Sequence, residues 1–266
     1  MQTTPVLQFE NISKFFVSHG SKNLVLMEVN LDVHRNEFVC IVGPSGCGKS
    51  TLLNIASGLM KPSDGEVRFE NQKLSGVNPK IGYITQHDNL MPWRSLIDNV
   101  VLFAELHGIP RKQRYAAAMP LIERVGLAGY EHHYPHELSG GMKQRANIIR
   151  TLIYEPEVIL MDEPFGPLDA ITRLKLQALL LDLWEESKKT VLFITHDLQE
   201  AIVLADKIVV MGVHPGRILG VYENSIPRPR NILDIQDTQE FRLLHRELWR
   251  LLMDEVDHNP EERVSS

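Results

Sequence analysis

Phe38-Val39-Cys40-Ile41-Val42-Gly43-Pro44-Ser45-Gly46-Cys47-Gly48-Lys49-Ser50-Thr51 runs from a short apolar segment through a glycine-rich turn into the helix-forming Leu52-Leu53-Asn54-Ile55-Ala56. An unbroken apolar run of that length reads as a strand buried on both faces. The turn fits the pattern G-x-x-x-x-G-K-[ST], whose glycines let successive backbone N–H groups converge on phosphate oxygens ahead of a helix N-terminus. Gly43, Pro44, Ser45, Gly46, Cys47 and Gly48 would form the cradle. Lys49 would lie against β- and γ-phosphates, Ser50 would ligate Mg²⁺ and Thr51 would touch the α-phosphate. A random chain of this length shows the pattern about one time in a hundred by average residue frequencies. The strand before it and the helix after it make a chance match rarer still. A nucleotide phosphate site is expected here.

Three further apolar runs, at 158–161, 191–194 and 208–211, also read as strands buried on both faces, hence a parallel sheet with helices on each side. Residues 6–10 and 31–33 alternate apolar with polar, as half-exposed antiparallel strands do, and 65–70 does so after the turn-forming 61–65 stretch. Between about 96 and 135 the period becomes helical. Leu96, Val100, Phe103 and Ala104 share one face, and Leu121, Ile122, Val125 and Leu127 another. This block interrupts the alternation of strands and helices and reads as a helical insertion into an α/β core.

Composition sets the outer limits. The chain has 266 residues, 43% hydrophobic and 23% charged, with formal net charge −6. A chain of that size buries a core without staples. A mildly acidic balance offers no broad field for nucleic acid or anionic lipid, so no nucleic-acid partner is expected. No uncharged apolar run reaches the roughly 20 residues that a bilayer demands. Residues 1–5 lack the basic and apolar regions of a signal peptide. Only Cys40 and Cys47 are present, too few for a disulfide framework and consistent with a reducing interior. The expectation from composition is a folded, soluble, cytoplasmic chain.

The run at 158–161 leads into Asp162-Glu163-Pro164. At a strand end in a phosphate-loop protein, such an Asp holds Mg²⁺ and an adjacent Glu polarises an attacking water. Leu138-Ser139-Gly140-Gly141-Met142-Lys143-Gln144-Arg145 opens a helix, so Ser139, Gly140 and Gly141 make a second anion-binding N-terminus, with a plain helix cap as the bland alternative. Taken together these segments resemble the ATP-binding cassette (ABC) ATPases, whose signature sequence lies between a phosphate loop and an acidic strand end. The resemblance covers essentially the whole chain. It implies a P-loop NTPase (RecA-like) α/β core with an N-terminal antiparallel β subdomain and an inserted α-helical subdomain at about 92–150. The ATPase domain would span 1–226, and 227–266 would form a short helical extension.

By the same resemblance, Gln86 after Ile81-Gly82-Tyr83-Ile84-Thr85 is the Q-loop glutamine that senses Mg²⁺ and the attacking water. Asp169 with Leu168 belongs to the D-loop, and His196 in Thr195-His196-Asp197 contacts the γ-phosphate. Phe16 takes the aromatic position that stacks on adenine, with Phe15 beside it as the other candidate. Pro167 stands where the family often has Ala and fixes one φ angle in the D-loop. ATP and Mg²⁺ are the implied ligands. Two copies would form a homodimer when ATP is bound, each ATP lying between the 43–51 loop of one and the 139–141 loop of the other. Closure would then gate hydrolysis.

His87 to Val100 contains Met91-Pro92-Trp93-Arg94-Ser95, similar to the segment in importers for nitrate, sulfonates and taurine. That similarity implies separate transmembrane permease subunits, indirectly a solute-binding protein, and a peripheral seat on the cytoplasmic face of the inner membrane. Residues 87–96 with Trp93 would line the groove for the permease, the alternative being Trp93 as a core anchor of the helical block. An exporter ATPase is the nearest rival reading; a non-transport ABC ATPase would carry coiled coils, zinc cysteines or tandem cassettes. His132, His133 and His136 are set aside as a metal site, because Pro135 breaks the helix that would align them. Cys47 reads as an accessible thiol in a positive field that lowers its pKa, and Cys40 as a small buried hydrophobe. Phe241, Leu244, Leu248, Leu251 and Leu252 recur at helical spacing, with Asp237 and Glu240 as a capping box, and read as a helix docked on the core. Residues 258–266 read as a disordered end.

Overall fold

The computed structural model describes residues 4–18 and 20–257. The first strands, β1 (Leu7–Ser18) and β2 (Ser21–Val33), form an antiparallel pair joined to β4 (Asp64–Phe69) and the short β5 (Gln72–Lys73) in a four-stranded sheet of order β2-β1-β4-β5. The alternation at 6–10, 31–33 and 65–70 is therefore the half-buried pattern it was expected to be. Between those strands the chain enters the second sheet with β3 (Phe38–Val42) and the helix α1 (Lys49–Ala56).

That second sheet has six strands. It takes in β6 (Ile81–Ile84), β7 (Val158–Asp162), β8 (Thr190–Thr195), β9 (Lys207–Gly212) and β10 (Arg217–Glu223), in the order β10-β9-β3-β8-β7-β6. All its pairings are parallel except β10 on β9. β3, β8 and β9 are buried at every residue, which explains why their sequences are continuous apolar runs. Successive side chains still divide between the faces. Phe38, Cys40 and Val42 pack with Phe193, Ile208 and Val210 on one side, while Val39 and Ile41 pack with Leu192, Ile194 and Val209 on the other. β6 and β10 escape the sequence pattern because they are the sheet edges: β6 is four residues long, and β10 is only half buried.

The helical block comprises α2 (Leu96–Val100), α3 (Leu102–Leu106), α4 (Arg111–Arg124) and α5 (Gly140–Leu152). Leu96, Val100, Ala104, Ile122, Val125 and Leu127 share a separate apolar cluster with Ala146 and Ile149 of α5. Val125 and Leu127 lie just beyond α4, where Gly126 takes a positive φ. Helices α6 (Ala170–Ser187) and α7 (Leu198–Leu204) cover the face of the larger sheet that carries Phe38 and Phe193.

The last helix, α8 (Gln239–Asp257), docks on that same face, with Phe241 and Leu248 buried and Leu244, Leu251 and Leu252 partly so. Its cap differs from the expected one. Thr238 Oγ1, not Asp237, accepts from the Phe241 N–H at 3.2 Å, because Asp237 is taken up in the preceding 3₁₀ turn. Ahead of it, Arg230 is buried and donates to carbonyls of Ile202, Val203 and Ala205, satisfying the C-terminal end of α7. Residues 258–266 lie outside the described residues. No helix among the described residues is long and apolar enough to cross a membrane.

Candidate functional site

The phosphate loop occupies the carboxyl end of β3. Gly48 takes φ 94°, a left-handed value that few other residues adopt, and is the N-cap of α1. No side chain caps α1 and no acid stands in its first turn, so its leading N–H groups face outward as anion donors. Lys49 is buried and folds back on the loop, donating to the carbonyls of Gly43 at 2.8 Å and Pro44 at 2.9 Å. The reading of Cys47 is corrected by this geometry. The residue is 1% exposed, and burial outweighs the neighbouring Lys49 ammonium, so the thiol is pushed up rather than down. Cys40 is buried as expected, and burial raises its thiol too.

Asp162 ends β7 beside the loop. Its Oδ1 accepts from Ser50 Oγ at 3.0 Å, and its Oδ2 lies 3.4 Å from the Tyr83 hydroxyl, whose single proton it shares with Asn54 Oδ1 at 3.2 Å. Burial holds the Asp162 carboxyl above the usual carboxylate range. A hydroxyl and a carboxylate side by side are the hard oxygen donors that suit Mg²⁺, so the pair fits the ion. Tyr83 and Asn54 belong to no motif, and only their packing brings them here. The next residue, Glu163, takes φ 41° and its N–H donates to the Ile194 carbonyl at 3.1 Å. Its carboxylate lies between the Lys49 ammonium and the His196 imidazole: Oε1 is 3.9 Å from Lys49 Nζ and Oε2 is 2.9 Å from His196 Nδ1. Gln86 Nε2 approaches the turn after Glu163, 3.6 Å from where a Cβ on Gly166 would stand. Parallel pairing of β3, β7 and β8 is what delivers these groups to the carboxyl end of the sheet, because parallel strands end on the same side.

The signature segment sits elsewhere. Ser139 caps α5 by accepting from the Met142 N–H, and Gly141 packs so closely on α6 that a Cβ would lie 2.6 Å from Thr172 Cγ2. Asp169 caps α6 through the Thr172 N–H at 3.0 Å, and the Thr172 side chain and N–H together lower its carboxyl. Among the described residues no hydrogen bond or ion pair joins 139–141 to 43–51. Phe15 and Phe16 are exposed on β1, carrying Lys22 at 4.8 Å and Lys14 at 5.2 Å over their rings. Trp93 is 71% exposed, which rules out the core-anchor alternative. No metal-ligating cluster of His, Cys, Asp and Glu occurs among the described residues, those at 132–136 included.

The chain is similar to several known proteins. A family model described as ABC transporter matches residues 26–166. An uncharacterized ABC transporter ATP-binding protein of Methanocaldococcus jannaschii is 44% identical over 250 residues, 94% of this chain and 92% of its own length. The taurine import ATP-binding protein TauB of Yersinia pestis is 42% identical over 209 residues, covering 79% of this chain and 82% of its own. The aliphatic sulfonates import ATP-binding protein SsuB of Bacillus cereus is 41% identical over 227 residues, 85% and 88% respectively. Among solved structures, an ATP-binding cassette described as a dimeric post-hydrolysis state with ADP and Pi superposes with TM-score 0.73 at 33% identity. It covers 83% of this chain and all of the solved one.

Proposed function

This chain belongs to the ABC transporter family and is an ATP-hydrolysing cassette, and we propose that it drives import of a small organic sulfonate or similar anion through a separate permease. The observation that carries the hydrolytic part is the Glu163 carboxylate held between Lys49 and His196, beside the Ser50–Asp162 pair.

In this reading the free N–H groups at the start of α1, with Lys49, bind the β- and γ-phosphates, and Lys49 exchanges the Gly43 and Pro44 carbonyls for phosphate oxygens. Glu163 accepts the proton of the attacking water. His196 holds the Glu163 carboxylate from one side and contacts the γ-phosphate with its other nitrogen. Gln86 reports the state of this cluster towards residues 87–96. Ser50 and Asp162 are the side chains that would hold Mg²⁺, which when bound neutralises charge on the phosphates. Ser139, Gly140 and Gly141, remote from the chain's own phosphate loop, would close over the nucleotide of a second copy, and Asp169 would meet it across the dimer. The exposed Trp93 would seat the permease, placing the chain on the cytoplasmic face of the membrane. The anion class follows the taurine and aliphatic-sulfonate relatives.

The test is genetic. In the source organism, loss of this chain should abolish growth on taurine or alkanesulfonates as sole sulfur source and spare growth on sulfate. The wild-type gene should restore it, and Glu163→Gln should not. Undiminished growth on sulfonates would overturn the substrate class; restoration by Glu163→Gln would overturn the role of that residue.

A further inference from the structure

The first turn of α6 is where three loops meet. Thr172 touches the signature helix at Gly141. Arg173, one residue on, reaches two other loops. Its Nη2 donates to the Leu168 carbonyl in the D-loop at 3.1 Å. Its Nη1 stands 3.9 Å from Asp197 Oδ2, and its Nε stands 4.0 Å from Glu200 Oε1.

Glu200 is buried on α7, and its two oxygens have different partners. Oε1 accepts from Gln177 Nε2 of α6 at 3.1 Å, and Oε2 accepts from Thr195 Oγ1 at 2.6 Å. Thr195 Oγ1 itself accepts from the Asp197 N–H at 3.0 Å. Donor and acceptor are both engaged, so the hydroxyl cannot rotate freely. His196 is the residue between Thr195 and Asp197, and its backbone is thus fixed on both sides by a bond network that ends on Glu200. A buried carboxylate is a costly way to secure a helix, since an apolar residue would serve packing better. The network also has slack in one place. Arg173 Nε is buried with no hydrogen-bond partner, and its distance to Glu200 is about 1 Å too long for one. Because the same guanidinium holds the Leu168 carbonyl, movement of the D-loop backbone carries it towards or away from Glu200 and Asp197.

We propose that Arg173, Glu200 and Thr195 are positioning residues for ATP hydrolysis, which transmit the placement of the D-loop at Leu168 to the imidazole of His196. The tie makes the hydrolytic geometry of a protomer depend on its own D-loop being seated, a condition that dimer closure supplies. This rests on the reading of His196 given above.

Steady-state ATPase kinetics of the full chain test it. Thr195→Val removes the hydroxyl and keeps the shape; it should lower kcat at least about tenfold and leave KM for ATP within about twofold, the pattern of a group acting only at the transition state. Thr195→Ser should recover most of the rate. Placed in the His196→Ala background, Thr195→Val should cause no further loss, because its effect passes through the imidazole. Unchanged kcat in Thr195→Val, or an additional loss of the same size without His196, overturns the proposal. A wild-type rate in His196→Ala overturns instead the reading of His196. Should Thr195→Val fail to fold, Glu200→Gln substitutes for it: it turns one of two acceptors into a donor and should lower kcat without raising KM, and a wild-type kcat there sinks the proposal equally.

Discussion

Two residues before Lys49, the thiol of Cys47 lies 3.9 Å from the ammonium, close enough for the positive field to matter. Burial matters more, because removing a thiolate from water costs more than one partly satisfied ammonium returns. N-ethylmaleimide should therefore leave the native chain unlabelled over a period that labels the denatured chain fully, whether or not ATP is present. Rapid native labelling that ATP blocks would restore the accessible-thiol reading. Glu163 presents the opposite case, a charge that the fold keeps partly exposed and paired for use. Glu163→Gln should retain ATP binding, lose roughly 100-fold or more in kcat as removal of a general base does, and elute as an ATP-dependent dimer on size exclusion. A turnover within tenfold of wild type would remove Glu163 from that role. The motif residues were legible because each is a backbone or charge requirement stated locally. Tyr83 and Asn54 were not, since a hydroxyl 3.4 Å from Asp162 depends on the pairing of β6 with β7.

Among the elements, α6 is held closely at its N-terminal end. Its N-terminus is capped by Asp169, and its first turn lies against Gly141 of α5 through Thr172. Thr172 is β-branched and cannot swing its methyl aside cheaply. Gly141→Ala should therefore lower the melting temperature by an amount matching about 1–3 kcal/mol of overpacking. Thr172→Ser, which deletes the obstructing methyl, should restore it. A Gly141→Ala chain that melts like wild type would show that the two helices are free to part. At this scale the sequence was readable wherever burial was complete. β3, β8 and β9 announce themselves as apolar runs, whereas the edge strands β6 and β10 carry mixed sequences because one side of each lacks a neighbour. The cap of α8 was misplaced by one residue, since Asp237 and Thr238 are both good caps and only the preceding 3₁₀ turn decides between them.

For the whole molecule, the question is how a chain with no spanning helix among its described residues serves transport. Trp93 is a large aromatic side chain left largely in solvent, in the segment that leads from Gln86 into the helical block. Tryptophan is enriched among the residues that anchor protein–protein contacts. On the proposed coupling to a permease, Trp93→Ala should abolish the stimulation of ATPase by that partner, measured in reconstituted vesicles. Full stimulation would place the coupling surface elsewhere. By itself the sequence determined the phosphate loop, the acidic strand end, the signature segment and the parallel core, because each is written in contiguous residues whose backbone or burial requirements admit few alternatives. Only the tertiary structure decided that Cys47 is sealed, that Trp93 is outside, that Glu163 lies between Lys49 and His196, and that Arg173 bridges the D-loop to the turn bearing His196. Burial and ion pairing are properties of distant segments brought together, and no local spacing encodes which of them will meet.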